Sequence, residues 1–564
     1  MQQSLWHNSD EGDDRRESRG EFKPRPYQAD AADAVMEAFQ TNQSALVVMP
    51  TGTGKTVLFS EIVRRFGGGR RLVIAHREEL IYQAVRKIRS MTDLEISIEM
   101  AETWSNEAIR PDVVVSTVQT QTQGGARMNR FDPLDFNLLV LDEAHHCVAK
   151  SYRRLIEHYS QNPNLKILGV TATPDRADEA ALGQVFDTVA YDYEIIDAIN
   201  DGWLVPIRQT PVIVNGLSFA DCRTTAGDLN QADVERIIEE EKSPMLHGFA
   251  DPTYQLSRGR KTLVFASSVK HAEMLSDILN RHHDGSSQWI CGKTPKDERR
   301  RILNAYSKDE FQFLVNVGIA TEGFDEPGVE LVVIGRPTKS RALYAQMVGR
   351  GTRPLPGIVD GPTTDVARRQ AIESSRKPYV EVIDFVGNAG RHKLMSAADI
   401  LGGRYDDEIV ELAAARMREK TDGSPKDVQH ELQAAHDEIH AAREKRRRER
   451  MCIVGKASWE TLSIDPFDAL GIEPERVKGW DRGRQLTKAQ SDVLERNGID
   501  PNPLSYSQAK QLIDHIMQHP DRMPCTKKQA SLLKRYGYDV GSMNKATASS
   551  LIGQLANNGW RKPS

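Results

Sequence analysis

Only five cysteines occur in the 564 residues, at positions 147, 222, 291, 452 and 525, and none forms a Cys-x-x-Cys pair. That spacing speaks against a zinc ribbon or a disulfide scaffold, and implies reduced thiols in a cytoplasmic setting. Long apolar runs are missing too. No stretch reaches the ~18 residues that a membrane span requires. Charge of one sign is not in excess: the net charge is −5, unlike that of a protein coating nucleic acid indiscriminately. A basic channel within an acidic chain can still grip phosphates, so a nucleic-acid motor stays open. Residues 1–20 lack an apolar core and carry Asp10, Glu11, Asp13, Asp14 and Glu17, which reads as a disordered tail and not a targeting signal. Arg15-Arg16 has no apolar segment to make it an export signal.

What is present is concentrated in three stretches. Ser44–Pro50 is an apolar, β-branched run that predicts a buried strand, and Val57–Arg65 has the spacing of a helix. Between them stands Pro50-Thr51-Gly52-Thr53-Gly54-Lys55-Thr56, in the strand–loop–helix setting of a phosphate loop. Its glycines free backbone N–H groups for phosphate oxygens, and the helix N-terminus adds positive potential. Lys55 is the candidate for the β- and γ-phosphates, and the Thr56 hydroxyl for Mg²⁺. Met49 replaces the first glycine of the general eight-residue pattern, so the loop is the shorter variant.

Asn137–Leu141 predicts a second buried strand, with Asp142 and Glu143 at its carboxyl end, the edge where parallel sheets bind ligands. Asp142 suits Mg²⁺, and Glu143 suits the orientation and deprotonation of a water. Far downstream, Gln346-Met347-Val348-Gly349-Arg350-Gly351-Thr352-Arg353 supplies two guanidiniums. On a continuous helix, Arg350 and Arg353 would share one face. Arginine's planar fork pairs with phosphate oxygens and keeps its charge. Cradle, metal and water site, and guanidiniums are what phosphoryl transfer from a nucleotide needs. His145-His146 reads as part of this site, and His282-His283 as surface.

With further segments added, residues 22–390 resemble superfamily 2 helicases and translocases. Arg25-Pro26-Tyr27-Gln28 resembles the adenine-recognition element, with Gln28 at the base edge. Val73–Leu80, containing His76 and Arg77, and Val114–Thr120, containing Thr117 and Gln119, resemble strand-gripping motifs of a first lobe. Thr171-Ala172-Thr173-Pro174 resembles the motif that couples hydrolysis to lobe movement through Thr171 and Thr173. Leu263–Ala266 and Gly318–Asp325 resemble second-lobe motifs, with Thr321 on nucleic acid and Gly323 and Asp325 near nucleotide. Asp142-Glu143-Ala144-His145 with Thr-Ala-Thr-Pro is most similar to the RadD-like and restriction-motor (ResIII-like) branch, and Val382–His392 resembles the strand that closes its second lobe.

The resemblance implies an α/β fold: two tandem RecA-like domains, parallel sheets flanked by helices, then an α-helical C-terminal region. It implies ATP and Mg²⁺ as cofactors and DNA as the partner, with RNA or a duplex-translocating restriction motor as alternatives. ATP would meet Arg25, Gln28, Thr51, Gly52, Thr53, Gly54, Lys55 and Thr56 from one lobe. Gly323, Asp325, Gln346, Arg350 and Arg353 would serve it from the other.

The expected organisation is a tail at 1–20, a first lobe at 21–205, a connection at 206–256 and a second lobe at 257–400. A helical arm follows at 401–479, then a tandem repeat at 480–564. The arm ends in Arg443–Arg450, either a DNA-backbone grip or a solvated helix end. The repeat is read from a constant shift of 39: Gln490 aligns with Gln529, Leu494 with Leu533, Gly498 with Gly537, and Leu512 with Leu551. Thr487 and Thr526 are expected helix N-caps, the two glycines left-handed C-terminal stops. The copies are expected to pack together, as a partner-docking unit or a structural cap.

Overall fold

The computed structural model describes residues 24–453 apart from 76–77, 101–102, 124–126, 173–180, 226–227, 241–243, 319–323, 389–393, 404 and 420–423. Beyond 453 it describes 467, 472, 474, 477, 479–481, 484–497, 499–518, 527–538 and 545–557. The tail at 1–20, His76, Arg77, Thr173, Thr321, Gly323, Gly498 and Thr526 lie outside the described residues. Two compact units form: Met1–Ala172 with Val185–Tyr193, and Thr173–Gln184 with Glu194–Ser564.

The first unit is built on seven strands: β1 (Ser44–Val48), β2 (Arg70–Ala75), β3 (Ile96–Glu99), β4 (Val113–Thr117), β5 (Phe136–Asp142), β6 (Lys166–Thr171) and β7 (Thr188–Asp192). Their order is β3-β4-β2-β5-β6-β1-β7, and every pairing is parallel. Every residue of β1, β2 and β4 is buried. Continuous apolar runs such as Ala45-Leu46-Val47-Val48 are what a sheet covered on both faces demands.

The second unit repeats the plan with β8 (Ile207–Ser218), a short ribbon of β9 (Thr224–Thr225) and β10 (Asp228–Leu229), then β11 (Thr262–Ala266), β12 (Ser287–Cys291), β13 (Phe313–Val317), β14 (Leu331–Gly335), β15 (Val380–Asn388) and β16 (Lys426–Asp427). Its sheet runs β12-β13-β11-β14-β15-β8-β16, parallel except for the antiparallel edge strand β16. The two sheets, flanked by helices, make tandem RecA-like domains. The segment expected as a connection, 206–256, contributes to this core. Its strand β8 lies beside β15, and Phe219 and Phe249 pack with Leu275, Val315 and Phe385.

Helices Asp407–Glu419 and Val428–Ile453 pack against each other. Ile409, Val410, Ala413 and Met417 of the first and Val428, Leu432, Ala435 and Ile439 of the second are buried. Arg443, at the start of the basic run, pairs with Asp406 and Glu408 at 3.1 Å each.

Further on, helices Lys488–Arg496 and Tyr506–Gln518 bury Leu494, Ala509 and Ile516 with Phe467. Helices Lys527–Arg535 and Lys545–Asn557 bury Leu533, Ala548 and Leu555, the residues 39 positions on. These are separate cores. Among the described residues each helix pair has its own buried cluster, the first including Phe467, and no cluster joins the copies. Thr487 caps its helix by accepting the Gln490 N–H, and Gly537 takes the left-handed conformation at φ +75°.

Candidate nucleotide site

Because all strands of the first sheet run one way, their carboxyl ends share one edge, where open parallel sheets hold ligands. The loop after β1 turns through Gly52 at φ +92° and Gly54 at φ +79°, conformations that glycine adopts without steric cost. Gly54 begins the helix Lys55–Arg65, and a Cβ there would sit 2.6 Å from Gln28 Nε2. Tyr27 Oη and Gln28 Nε2 both donate to the Thr53 carbonyl at 2.8 Å, and Thr53 Oγ1 donates to Pro50 O at 2.7 Å. The Arg25 N–H donates to Gln28 Oε1 at 2.9 Å. The residues before the first helix and the phosphate loop are therefore locked together through one buried amide. Thr51, Gly52, Lys55 and Thr56 are half-buried.

Asp142 ends β5, buried, and its Oδ1 accepts the Glu143 N–H at 3.0 Å. Glu143 follows at φ +49°, a left-handed conformation costing a non-glycine residue about 1–3 kcal/mol, of a kind that clusters at functional sites. Its Oε1 lies 3.5 Å from Lys55 Nζ, and its Oε2 3.5 Å from His145 Nδ1. His145 Nδ1 is also 3.1 Å from Thr171 Oγ1, at the end of β6. Lys55, Glu143, His145 and Thr171 thus form a continuous polar chain across β1, β6 and β5. The Thr56 hydroxyl and the Asp142 carboxylate at this edge are hard oxygen donors of the type Mg²⁺ accepts.

In the second unit, Gln346 is buried on the helix Arg341–Gly349. Arg350 caps that helix, and Arg353 lies beyond it, so the pair does not share a helical face. The chain must leave the helix because Gly351 passes against the sheet: a Cβ there would lie 2.5 Å from Val380 and 2.8 Å from Val332. Thr352 O accepts the Val205 N–H at 2.8 Å, holding the segment down. The guanidiniums nevertheless converge on consecutive residues. Arg350 Nη1 donates to Phe324 O at 2.6 Å, and Arg353 pairs with Asp325.

The strand-gripping expectations divide. Thr117 is buried, and its hydroxyl caps helix Val118–Thr122 by accepting the Thr120 N–H at 3.1 Å. Gln119 is exposed.

Two buried groups went unassigned from sequence. Lys377 is 1% exposed; its Nζ donates to Arg353 O at 2.7 Å and Pro327 O at 2.8 Å, and burial pulls the amine down to about 7. Asp384 on β15 accepts from Gln209 Nε2 at 3.0 Å and Tyr344 Oη at 3.1 Å, and burial pushes its carboxyl up to about 7. It lines a cavity of about 30 Å³ with Tyr344, Met417 and Arg418. Lys377 stands in no motif, and Asp384 lies in the Val382–His392 stretch without having been singled out there. The only signal in the sequence was a charged residue within or beside a strand-forming run.

Residues 21–176 match the family model of the type III restriction enzyme res subunit, and residues 241–354 that of the helicase conserved C-terminal domain. The chain is 31% identical over 399 residues to a Saccharomyces cerevisiae protein named as ATP-dependent helicase IRC3, covering 68% of this chain and 54% of that one. It is 31% identical over 345 residues to a Schizosaccharomyces pombe protein named as mitochondrial ATP-dependent helicase irc3, covering 59% and 55%. The chain thus spans about half the length of these curated relatives. In fold it is similar to the ATP-dependent type ISP restriction-modification enzyme LlaBIII bound to DNA, with TM-score 0.50 and 16% identity, over 96% of this chain and 40% of that one.

Proposed function

Because the chain carries the two domains of a superfamily 2 helicase, we propose that it is an ATP-driven motor that moves along DNA. The observation that carries this reading is the polar chain from Lys55 through Glu143 and His145 to Thr171. It joins the phosphate-binding amine to the water-activating carboxylate and the coupling threonine.

Lys55 leaves Glu143 for the β- and γ-phosphates as ATP binds, with the N–H groups of Thr51–Gly54 around them. Glu143, released, takes the proton of the attacking water. Gln28 and Arg25 are assigned to the adenine and Arg350 and Arg353 to charge on the transferring phosphoryl group, with Gln346, Gly323 and Asp325 as further nucleotide-site candidates. Mg²⁺, when held by Thr56 and Asp142, supplies charge neutralisation at the phosphates. His76, Arg77, Gln119 and Thr321 grip the backbone, so binding is independent of sequence and sensitive to salt. Thr117 shapes that motif through its cap. Thr171 and Thr173 pass the state of the nucleotide to the grip, and hydrolysis steps the motor.

Steady-state ATP hydrolysis with single-stranded, duplex or forked DNA, RNA, or no polymer tests the reading. Stimulation by DNA supports it; stimulation by RNA alone moves the substrate class to RNA. No stimulation by any polymer overturns it. The match to a restriction-enzyme subunit over 21–176 favours a second reading, a duplex-translocating motor of a restriction complex. Displacement of a triplex without displacement of a strand would select it.

Among the described residues no helix is long and apolar enough to cross a membrane. The free buried Cys147, Cys222 and Cys291 suit a reducing compartment, and we place the protein in the cytoplasm. The C-terminal repeats are the candidate docking element for a protein partner.

A further inference from the structure

Trp104, in the loop after β3, is the one exposed tryptophan among the described residues, at 52%. Its backbone is held at three points. Glu99, fully buried at the end of β3, accepts the Ser105 N–H at 2.6 Å. Arg127 donates to Thr103 O at 3.1 Å, and Arg130 to Ser105 O at 3.2 Å. The same two guanidiniums pair with Glu99 at 3.2 and 3.0 Å and lie over the indole, 3.7 and 4.7 Å from its centroid. Glu107, which accepts from Ser105 Oγ at 2.9 Å, is paired with Arg70 at 2.8 Å, so the two cations facing Glu99 leave positive charge beside an exposed aromatic ring. Burial would stabilise an indole by a few kcal/mol. Bonds that fix this one half in water therefore make it a pre-organised contact surface, with little entropy left to lose on binding.

Its place in the sheet names the ligand. Glu99 is in register with Ser116 on β4, and Ser116 with Ile74 on β2. Ser116 Oγ donates to Glu99 O at 2.7 Å, tying the strand ends together. The Trp104 loop thus leaves the same edge, at the same level, as the segment carrying Gln119 and the end of β2. Strands lie ~4.8 Å apart, so β3 is ~10 Å from β2. We propose that Trp104 is a stacking platform for a base of single-stranded nucleic acid, with Arg127 and Arg130 supplying positive potential to its backbone. It extends the strand track outward from the family motifs to the sheet's edge strand. Any base offers a π-face, so the contact is sequence-tolerant.

This inference rests on the motor reading, and the test separates the two. The full chain, Trp104→Phe and Trp104→Ala are compared for the oligothymidylate concentration that half-maximally stimulates ATP hydrolysis, and for binding across a salt series. One base stack contributes ~1–3 kcal/mol, so Trp104→Ala raises the half-saturating concentration by about tenfold. Trp104→Phe recovers most of that loss. The slope of binding against salt stays at the wild-type value, since a stack releases no counterions. Wild-type half-saturation in the alanine variant overturns the platform and leaves the motor standing. A wild-type chain that no polymer stimulates overturns both.

Discussion

The ammonium of Lys55 lies 3.5 Å from Oε1 of Glu143, so the two residues expected to serve opposite ends of a phosphoryl transfer neutralise each other. Their side chains are 12% and 10% exposed, which makes the pairing more than a screened surface contact. Removing Lys55 leaves Glu143 beside His145, 3.5 Å away, and removing the Glu143 charge frees the Lys55 ammonium, so the two substitutions report on different steps.

Lys55→Ala is expected to lower ATP turnover by at least about 100-fold, the scale of losing one pre-organised charge contact to a transition state. The fold should survive, because the side chain lies at the sheet's edge against Glu143 and outside the apolar core. Thermal melting within about 3 °C of wild type, alongside the lost turnover, checks both parts.

Glu143→Gln keeps the shape and removes the base. Turnover should fall about 10²- to 10⁴-fold, the usual worth of general base catalysis, while nucleotide binding persists. Equilibrium binding of a fluorescent ATP analogue, run beside the hydrolysis assay, separates binding from chemistry. Loss of both together would falsify the assignment.

Arg350→Ala should reduce turnover about 10³-fold or more, as expected for an arginine acting on transition-state charge, with ATP affinity largely spared. The affinity measurement matters because Arg350 also donates to Phe324 O. If the residue only holds that loop, Arg350→Lys should rescue turnover. A finger requires the guanidinium fork, and lysine then fails.

Asp384 gives a pH signature. Burial raises its carboxyl from 3.8 to about 7, so between those values the folded protein holds a proton that the unfolded chain has released. Stability contributed by this site therefore falls as pH rises from about 4 to 7 and stays low above. Asp384→Asn removes the titration while keeping an acceptor for Tyr344 and Gln209. Relative to wild type, the variant should gain about 1–3 kcal/mol in stability on moving from pH 5 to pH 8. Thermal melts at the two pH values decide it, and an unchanged difference sinks the idea.

The C-terminal cores predict where the chain tolerates a cut. Trp480 is buried and its backbone passes Gly183 so closely that a Cβ on the glycine would lie 2.8 Å from Trp480 Cα. A chain ending after Arg484 keeps that contact and loses the two helix pairs, so its melting should fall only by what uncovering Phe467 costs. A chain ending after Val477 should melt roughly 5 °C or more lower, since burying a tryptophan is worth several kcal/mol.

Much of the fold was legible because its signals are local. Ser44–Val48 and Phe136–Asp142 announce buried strands by unbroken apolar runs, and Gly52 and Gly54 mark the turn between strand and helix. The 39-residue shift put Leu494 and Leu533, and Ala509 and Ala548, into equivalent core positions. Residues 206–256 were harder. Their apolar run near Val212 is visible, but only pairing with β15 shows that it completes a sheet.

By itself, the sequence determined which residues can do chemistry: a lysine after a glycine loop, carboxylates after a strand, arginines after a glutamine. Those assignments depend on residue type and on spacings of a few positions, which short-range geometry carries unaided. Only the tertiary structure decided which of them meet. His145 reaches Thr171 across 26 positions, and Arg350 and Arg353 converge on Phe324 and Asp325 although their helix ends between them. Lys377 finds the Arg353 carbonyl, and Trp104 is held half in water by arginines more than twenty residues away. Such contacts depend on where parallel strands end relative to one another, and that register is set by packing both faces of a sheet.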